Sequence, residues 1–152
     1  MPLVSFEVSS VVPALPDAVW DRVASFEGVN HELMPIASMT CPPQFRRLDA
    51  ATVPIGRTWF RSWIRLFGLV PFDYDDLRLV ALEPGRGFHE DSTMLTQRRW
   101  VHRRDLEPVA GGTRVRDRID FEPRVPLLAP LLRVVFRAVF RHRHRRLGAY
   151  FA

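Results

Sequence analysis

The sequence of 152 residues contains no lysine, and all 22 basic residues are arginine. Its single cysteine, Cys41, excludes an internal disulfide framework and is expected to be a structural thiol in a reducing compartment. The longest apolar region, 125–140, is interrupted by two prolines and two arginines, and it is shorter than the roughly 20 apolar residues that cross a bilayer. Residues 1–16 lack the basic start and apolar run of a signal peptide, so we expect a cytoplasmic protein.

Catalytic and metal-binding motifs are also missing. The chain has no glycine-rich phosphate loop, no Gly-x-Ser-x-Gly motif and no His-Glu-x-x-His motif. His142 and His144 are two residues apart, which separates them by about 200° around a helix, so they are not expected to chelate one metal ion. The sequence therefore predicts no metal site, implies no cofactor and contains no recognisable nucleophile with its base.

The net charge of +5 is concentrated at one end of the chain. From Arg124 onward there are seven arginines and no acidic residue, whereas residues 1–123 carry 15 arginines and 17 acidic residues. The remaining composition, with 47% hydrophobic and 26% charged residues, is typical of a globular protein. The length predicts a single domain over residues 1–152.

The order of predicted elements is one strand, two short helices, about six strands and a long helix. We expect Asp17 to cap the first helix, Gly28 to end it, and a second short helix to follow over 29–34. Residues 36–53 are expected to hold a strand and a loop. Predicted strands cover 3–11, 58–67, 72–82, 88–96, 99–107 and 113–122, and the last helix runs from about Pro126 to Tyr150.

This order predicts the α+β class. An antiparallel sheet of about seven strands needs a cover for its inner face, and the long amphipathic helix supplies one. A curved sheet wrapped around that helix leaves a cavity between the two.

Asp117 is an acidic residue on a strand face that is otherwise apolar, because Val115, Ile119 and Phe121 share its period of two. Counting back from the hairpin at 108–112 places His102 or Arg104 opposite Asp117. Two interpretations remain open. These residues form a polar floor that binds a carbonyl or hydroxyl group or moves a proton, or they form a satisfied internal ion pair that fixes the strand register.

Neighbouring strands offer further walls for the cavity. Glu90 and Ser92 share a face with Phe88 and Met94 and would extend the polar floor. The strand at 58–67 has two candidate faces. Phe60, Ser62, Ile64 and Leu66 form the better wall, which would leave Trp59 and Trp63 outside and stacked with Arg61 and Arg65.

The element order and several side chains resemble one superfamily. The residues that carry the resemblance are Trp100, His102, Leu106, Gly111 to Thr113, Asp117, Ile119, Phe121 and Pro123. They are similar to the SRPBCC superfamily of START-type lipid carriers, polyketide cyclases and aromatases, and pollen-allergen-like ligand binders, and in particular to uncharacterised bacterial members. Arg104 stands where those members have a second histidine. The resemblance covers nearly the whole chain and implies the helix-grip fold.

The arginine-rich end of the last helix, 137–147, has several interpretations. Arg133, Arg137, Arg141 and Arg145 step by four along the face opposite the apolar stripe, whereas His142, Arg143 and Arg146 fall beside that stripe, near a predicted pocket mouth. The run is either a favourable complement to the helix dipole, a weak contact with anionic membrane, a nucleic-acid surface or an anion site at the mouth. No nucleic-acid motif accompanies it, so nucleic acid is not expected as a partner.

These patterns favour binding of a hydrophobic small molecule or lipid in the internal cavity, as a carrier or sensor. One alternative, which the resemblance implies, is an enzyme of the polyketide cyclase or aromatase type in which His102 and Asp117 shuttle protons, and a second is a membrane-peripheral lipid-binding protein. The oligomeric state is expected to be a monomer or a homodimer. The predicted ligand-binding residues are Phe60, Ile64, Leu77, Leu79, Glu90, Met94, Trp100, His102, Arg104, Asp117, Ile119, Phe121, Leu132, Val135, Phe136, Val139, His142 and Arg146.

Overall fold

The computed structural model describes residues 3–152, which form seven strands, three α-helices and one 3₁₀ turn. In chain order the elements are β1 (Val4–Val12), α1 (Pro16–Val23), α2 (Phe26–Leu33), β2 (Ala37–Met39), β3 (Thr58–Leu66), β4 (Val70–Glu83), β5 (Gly87–Met94), β6 (Gln97–Val109), β7 (Gly112–Pro123), the 3₁₀ turn (Pro126–Leu128) and α3 (Ala129–Phe151). The predicted strands lie within two or three residues of the observed bounds, and the region 36–53 does hold a strand and a loop.

The seven strands form one antiparallel sheet in the order β1-β7-β6-β5-β4-β3-β2. Each neighbouring pair from β3 to β7 is a hairpin, and β1 closes the far edge by pairing with β7. The sheet curls around α3, which packs against β1 and α2. The predicted helix-grip fold is therefore confirmed.

Two apolar clusters hold the helices to the sheet. One lies where α1 meets the sheet and the end of α3 and includes Trp20, Val115 and Leu147. The other lies under the middle of α3 and includes Phe6, Trp100, Ile119, Phe121 and Phe140. Phe140 stands at its centre, edge-on to Phe6 with the ring centroids 5.8 Å apart.

The beginnings of the two short helices differ from the prediction. Helix α1 begins at Pro16 after Leu15, without a side-chain cap, so Asp17 lies in its first turn and does not cap it. Gly28 does not end α1 but lies in the first turn of α2, where its N–H donates to the Oγ of the N-cap residue Ser25 at 3.0 Å. A Cβ on Gly28 would stand 1.9 Å from the Arg22 carbonyl oxygen, so the glycine is required by the close approach of α1.

Candidate ligand-binding site

A cavity of about 690 Å³ lies between the sheet, α2 and α3. This volume is within the range of small-molecule sites, which is roughly 300–1,000 Å³. Twelve of the predicted residues line it: Ile64, Leu77, Leu79, Glu90, Met94, Trp100, His102, Arg104, Leu132, Val135, Phe136 and Val139. The strand periods and the helical spacing therefore indicate which side chains face the cavity, and their contact with a ligand stays a prediction.

Six of the predicted residues do not line the cavity. Phe60 turns toward Phe26 and Phe45, with ring centroids 5.5 and 6.1 Å away. Ile119 and Phe121 point inward as predicted but are fully covered by the second apolar cluster. The other three are Asp117, His142 and Arg146, whose contacts are described below.

The outer face of β3 does not carry the predicted ladder of tryptophans on arginines. Arg61 instead stacks on Tyr74 of β4, with its Cζ atom 3.9 Å from the ring centroid, and Trp63 contacts the edge of the same ring. Trp59 packs against Phe45, because a register shift between Thr58 and Phe60 turns it out of the regular alternation.

Arg104 is the centre of a buried charge network at the floor of the cavity. The β6–β7 register places it directly opposite Asp117, and its Nε and Nη2 donate to the two carboxylate oxygens at 2.8 and 2.7 Å. Nη1 and Nη2 also donate to the carboxylate of Glu32, on α2, at 2.9 and 2.8 Å. All three side chains are at most 1% exposed. The guanidinium thus joins the sheet to α2.

Two histidines and a second arginine complete this group, which we call the Asp117 network. His102 Nε2 lies 2.7 Å from Asp117 Oδ1, and His144 Nε2 lies 2.7 Å from Asp117 Oδ2. Arg143 Nε donates to Glu32 Oε1 at 3.1 Å. Sheet, α2 and α3 are therefore connected through two carboxylates. Arg143 was expected beside the apolar stripe, but Glu32 and His144 were not predicted as site residues, although the i+4 spacing of His144 from Phe140 places it on the same helix face.

The electrostatics of the Asp117 network keep both carboxyl groups ionised. Burial opposes ionisation of Asp117, but the charge and hydrogen bonds of Arg104 and His102 outweigh it and hold its pKa well below the ordinary value. Burial opposes ionisation of Glu32 as well, and Arg104 and Arg143 lower its pKa in the same way. Asp117 is therefore an acceptor that fixes its neighbours, and His102 is the member of the pair that faces the cavity.

His142 and Arg146 cap α2 and do not stand at a pocket mouth. His142 Nε2 lies 2.9 Å from the carbonyl oxygen of Met34, and Arg146 Nε donates to the carbonyl oxygen of His31 at 3.0 Å. The last carbonyl groups of a helix lack partners within the helix, so these side chains supply them. Arg133, Arg141 and Arg145 lie exposed on the outer face of α3, and Arg137 is half-buried.

A second polar cluster lines the β4–β5 wall of the cavity. Asp73, Asp75 and Glu90 are at most 5% exposed. Asp73 accepts from the Thr96 hydroxyl at 2.5 Å, and Glu90 accepts from the Ser92 hydroxyl at 2.7 Å. Burial, followed by the charge of Glu90 and a hydrogen bond with it, raises the pKa of Asp75 well above its ordinary value. We call Asp75 and Glu90 the acid pair.

No helix within residues 3–152 is long and apolar enough to cross a membrane. No group of three or more His, Cys, Asp or Glu side chains in the same range is arranged to hold a metal ion.

Many solved structures share this fold, and the three that follow are 12–15% identical to this chain. Protein CV1439 from Chromobacterium violaceum matches with a TM-score of 0.70 at 15% identity, over 97% of this chain and 96% of its own. A START superfamily protein from Mycobacterium smegmatis matches with a TM-score of 0.67 at 12% identity, over 99% of this chain and 97% of its own. The di-domain aromatase/cyclase StfQ from the steffimycin biosynthetic pathway matches with a TM-score of 0.66 at 13% identity. The match covers 99% of this chain and 51% of StfQ.

These likenesses support the resemblance to the SRPBCC superfamily at the level of the fold. A comparison with curated proteins gives no match. A family model described as a domain of unknown function, DUF8410, matches residues 10–151, which is nearly the whole chain. The chain therefore belongs to the DUF8410 family.

Proposed function

We propose that this protein binds an apolar small molecule or lipid in the cavity between the sheet and α3. The observation that carries the proposal is the cavity itself, whose 690 Å³ is walled mainly by aliphatic and aromatic side chains over a floor of fixed charges. A buried apolar space of this size is otherwise costly, because its lining side chains lose contacts that close packing would supply.

An apolar mouth gives the ligand a route into the cavity. Six apolar residues are both on the cavity lining and at least 36% exposed: Leu66, Phe72, Leu95, Val125, Leu128 and Val135. They come from β3, β4, the β5–β6 turn, the segment between β7 and α3, and the start of α3, so they surround one opening. Contiguous exposed apolar surface of this kind is typical of ligand entrances and interaction sites.

Filling the cavity from α3 tests the proposal. Val139→Trp places an indole in the cavity, whereas Val134→Trp makes the same change on the same helix at a position that is 66% exposed and not on the lining. With Nile red as the fluorescent probe, we expect Val139→Trp to weaken binding at least roughly tenfold because the indole takes the space of the dye. Val134→Trp is expected to bind like the unmodified protein.

Equal binding by the two variants would overturn the proposal, since the dye would then sit elsewhere. Circular dichroism and thermal unfolding of both variants establish that each is folded. Native mass spectrometry of protein purified gently from its own host then identifies the molecule that it carries.

A second candidate function is proton-transfer catalysis of the cyclase type, and the position of His102 supports it. Its Nε2 is held by Asp117 at 2.7 Å, its Nδ1 lies 4.0 Å from Glu90 Oε1, and the ring lines the cavity. A histidine oriented by a carboxylate beside a bound substrate has the arrangement of a general base.

Ring opening of 5-nitrobenzisoxazole tests this second candidate, because it needs only a base that removes one carbon-bound proton while the N–O bond breaks. We expect the protein to accelerate it above buffer and His102→Gln to abolish the acceleration. His89→Gln is the matched control, since His89 lies on the opposite face of the sheet. An acceleration that survives His102→Gln would rule out His102 as the base.

A further inference from the structure

The β4–β5 wall of the cavity carries the two buried acidic side chains of the acid pair. Asp75 and Glu90 are 3% and 5% exposed, and both line the cavity. Arg104 and Arg143, the two guanidinium groups at the floor, are already bound to Glu32 and Asp117. The acid pair therefore has no arginine partner among the residues described.

The other charged or titratable groups near the acid pair already have hydrogen-bond partners of their own. Asp73, on the same strand, is held by the Thr96 hydroxyl and the Tyr74 N–H. His102 uses Nε2 on Asp117, and its Nδ1 lies 4.0 Å from Glu90. Arg124, at the mouth, donates to the carbonyl oxygens of Leu95 and Met94. Among the described residues, the charged groups that act on Asp75 are Glu90 and Asp73, and both are acidic.

One oxygen of the pair lacks a donor altogether. Asp75 Oδ1 is buried and accepts no hydrogen bond from any group in residues 3–152, whereas Glu90 Oε2 accepts from Ser92. A buried acceptor without a donor is costly, and native structures seldom keep one without a reason. A ligand that fills the cavity and donates a hydrogen bond would satisfy it.

We infer that the acid pair is a binding subsite for the protonated amine of an otherwise apolar ligand. This inference rests on the proposed function, since it names the chemical class of the molecule in the same cavity. An ammonium group supplies up to three donors and one positive charge, so it satisfies Asp75 Oδ1 and balances the wall. A hydroxyl would supply only the hydrogen bond, and a carboxylate would be repelled.

Three dodecyl compounds with one chain and different head groups separate these cases. Dodecylamine, dodecanol and dodecanoate are titrated below their aggregation concentrations against protein loaded with Nile red. We expect dodecylamine to displace the dye at least roughly tenfold more tightly than dodecanol, because a charge-assisted hydrogen bond in a dry site is the stronger one. Dodecanoate is expected to be the weakest competitor.

The number of protons released when the ligand binds gives a second measurement beside the affinity. Burial and Glu90 raise the pKa of Asp75, so at a pH below that raised value the empty subsite holds a proton that an ammonium group would displace. Calorimetric titration in two buffers of different ionisation enthalpy is therefore expected to show proton release for dodecylamine but not for dodecanol.

Two variants locate the head group. Asp75→Asn and Glu90→Gln are each expected to bring the affinity for dodecylamine down to that for dodecanol. Asp105→Asn, which changes an exposed carboxylate of β6, is the matched control and is expected to keep the preference. Asp75→Asn is expected to fold, because it removes a buried carboxyl group whose ionisation the folded chain resists.

The outcomes are distinguishable. If none of the three compounds displaces Nile red, the proposed function itself is overturned. If dodecanol or dodecanoate binds as tightly as dodecylamine, only the inference about the head group is overturned. A preference for dodecylamine that survives in both Asp75→Asn and Glu90→Gln also overturns the inference, because the amine would then lie elsewhere.

Discussion

Replacing Arg104 by alanine is expected to lower the free energy of unfolding by about 3–5 kcal/mol. The guanidinium is 1% exposed and makes four hydrogen bonds, two to Asp117 and two to Glu32. Its removal would leave two carboxylates of 0% exposure with much of their charge uncompensated. The size of the effect therefore comes from the two buried carboxylates left without a positive partner rather than from the loss of the hydrogen bonds themselves.

The control for this prediction is Arg99→Ala on the same strand. Arg99 also holds a carboxylate by two hydrogen bonds, to Asp91 at 3.1 and 2.8 Å, but its side chain is 52% exposed. Exposed ion pairs contribute about 0–1 kcal/mol, so its loss should be small. Urea unfolding of both variants measures the difference. If the two variants lost similar free energies of unfolding, burial would not be the cause of the large effect expected at Arg104.

The second large effect is a loss of stability in acid. Asp117 and Glu32 have lowered pKa values in the folded chain, so the stability that they contribute is fully present above the unfolded values of about 4. It is lost as the pH falls through the folded values, because the unfolded chain then binds protons that the folded chain resists. One such carboxylate contributes on the order of 2–3 kcal/mol at neutral pH.

Asp75 contributes to the pH dependence of stability with the opposite sign. Its pKa is raised in the folded chain, so its contribution to stability is fully present below the unfolded pKa of about 3.9 and is lost as the pH rises through the folded value. Stability is therefore expected to increase as the pH falls from neutrality toward about 4–5 and to drop steeply below about 4.

Two substitutions on α2 test the acid effect. Glu32→Gln removes the buried carboxylate, whereas Glu27→Gln changes one whose side chain is 85% exposed. The free energy of unfolding, measured by urea at a series of pH values, should depend less on pH below about 4 in Glu32→Gln than in the unmodified protein. Glu27→Gln should follow the unmodified profile. If the free energy of unfolding depended on pH in the same way in all three proteins, the loss of stability in acid would not come from the Asp117 network.

The local pattern of the sequence predicted the sheet, the gripping helix and most of the cavity wall. Alternation along β4 to β7 and helical spacing along α3 were sufficient, because a side chain's face depends only on its position within its own element. Phe60 does not line the cavity for a local reason, since the register shift at Thr58 and the neighbouring aromatic rings changed its environment. His142 lies away from the cavity lining because its partner, the Met34 carbonyl oxygen, is 108 positions away in the sequence.

The sequence by itself determined that Asp117 faces inward beside His102 and Arg104, because that follows from strand periodicity and one hairpin. The tertiary structure alone decided what these residues do. It brought Glu32 to Arg104 across 72 positions and to Arg143 across 111, and it carried His144 to Asp117 from the far end of the chain. A buried charge must find its partners in space, and only the packing of α2 and α3 over the sheet determines which residues meet it.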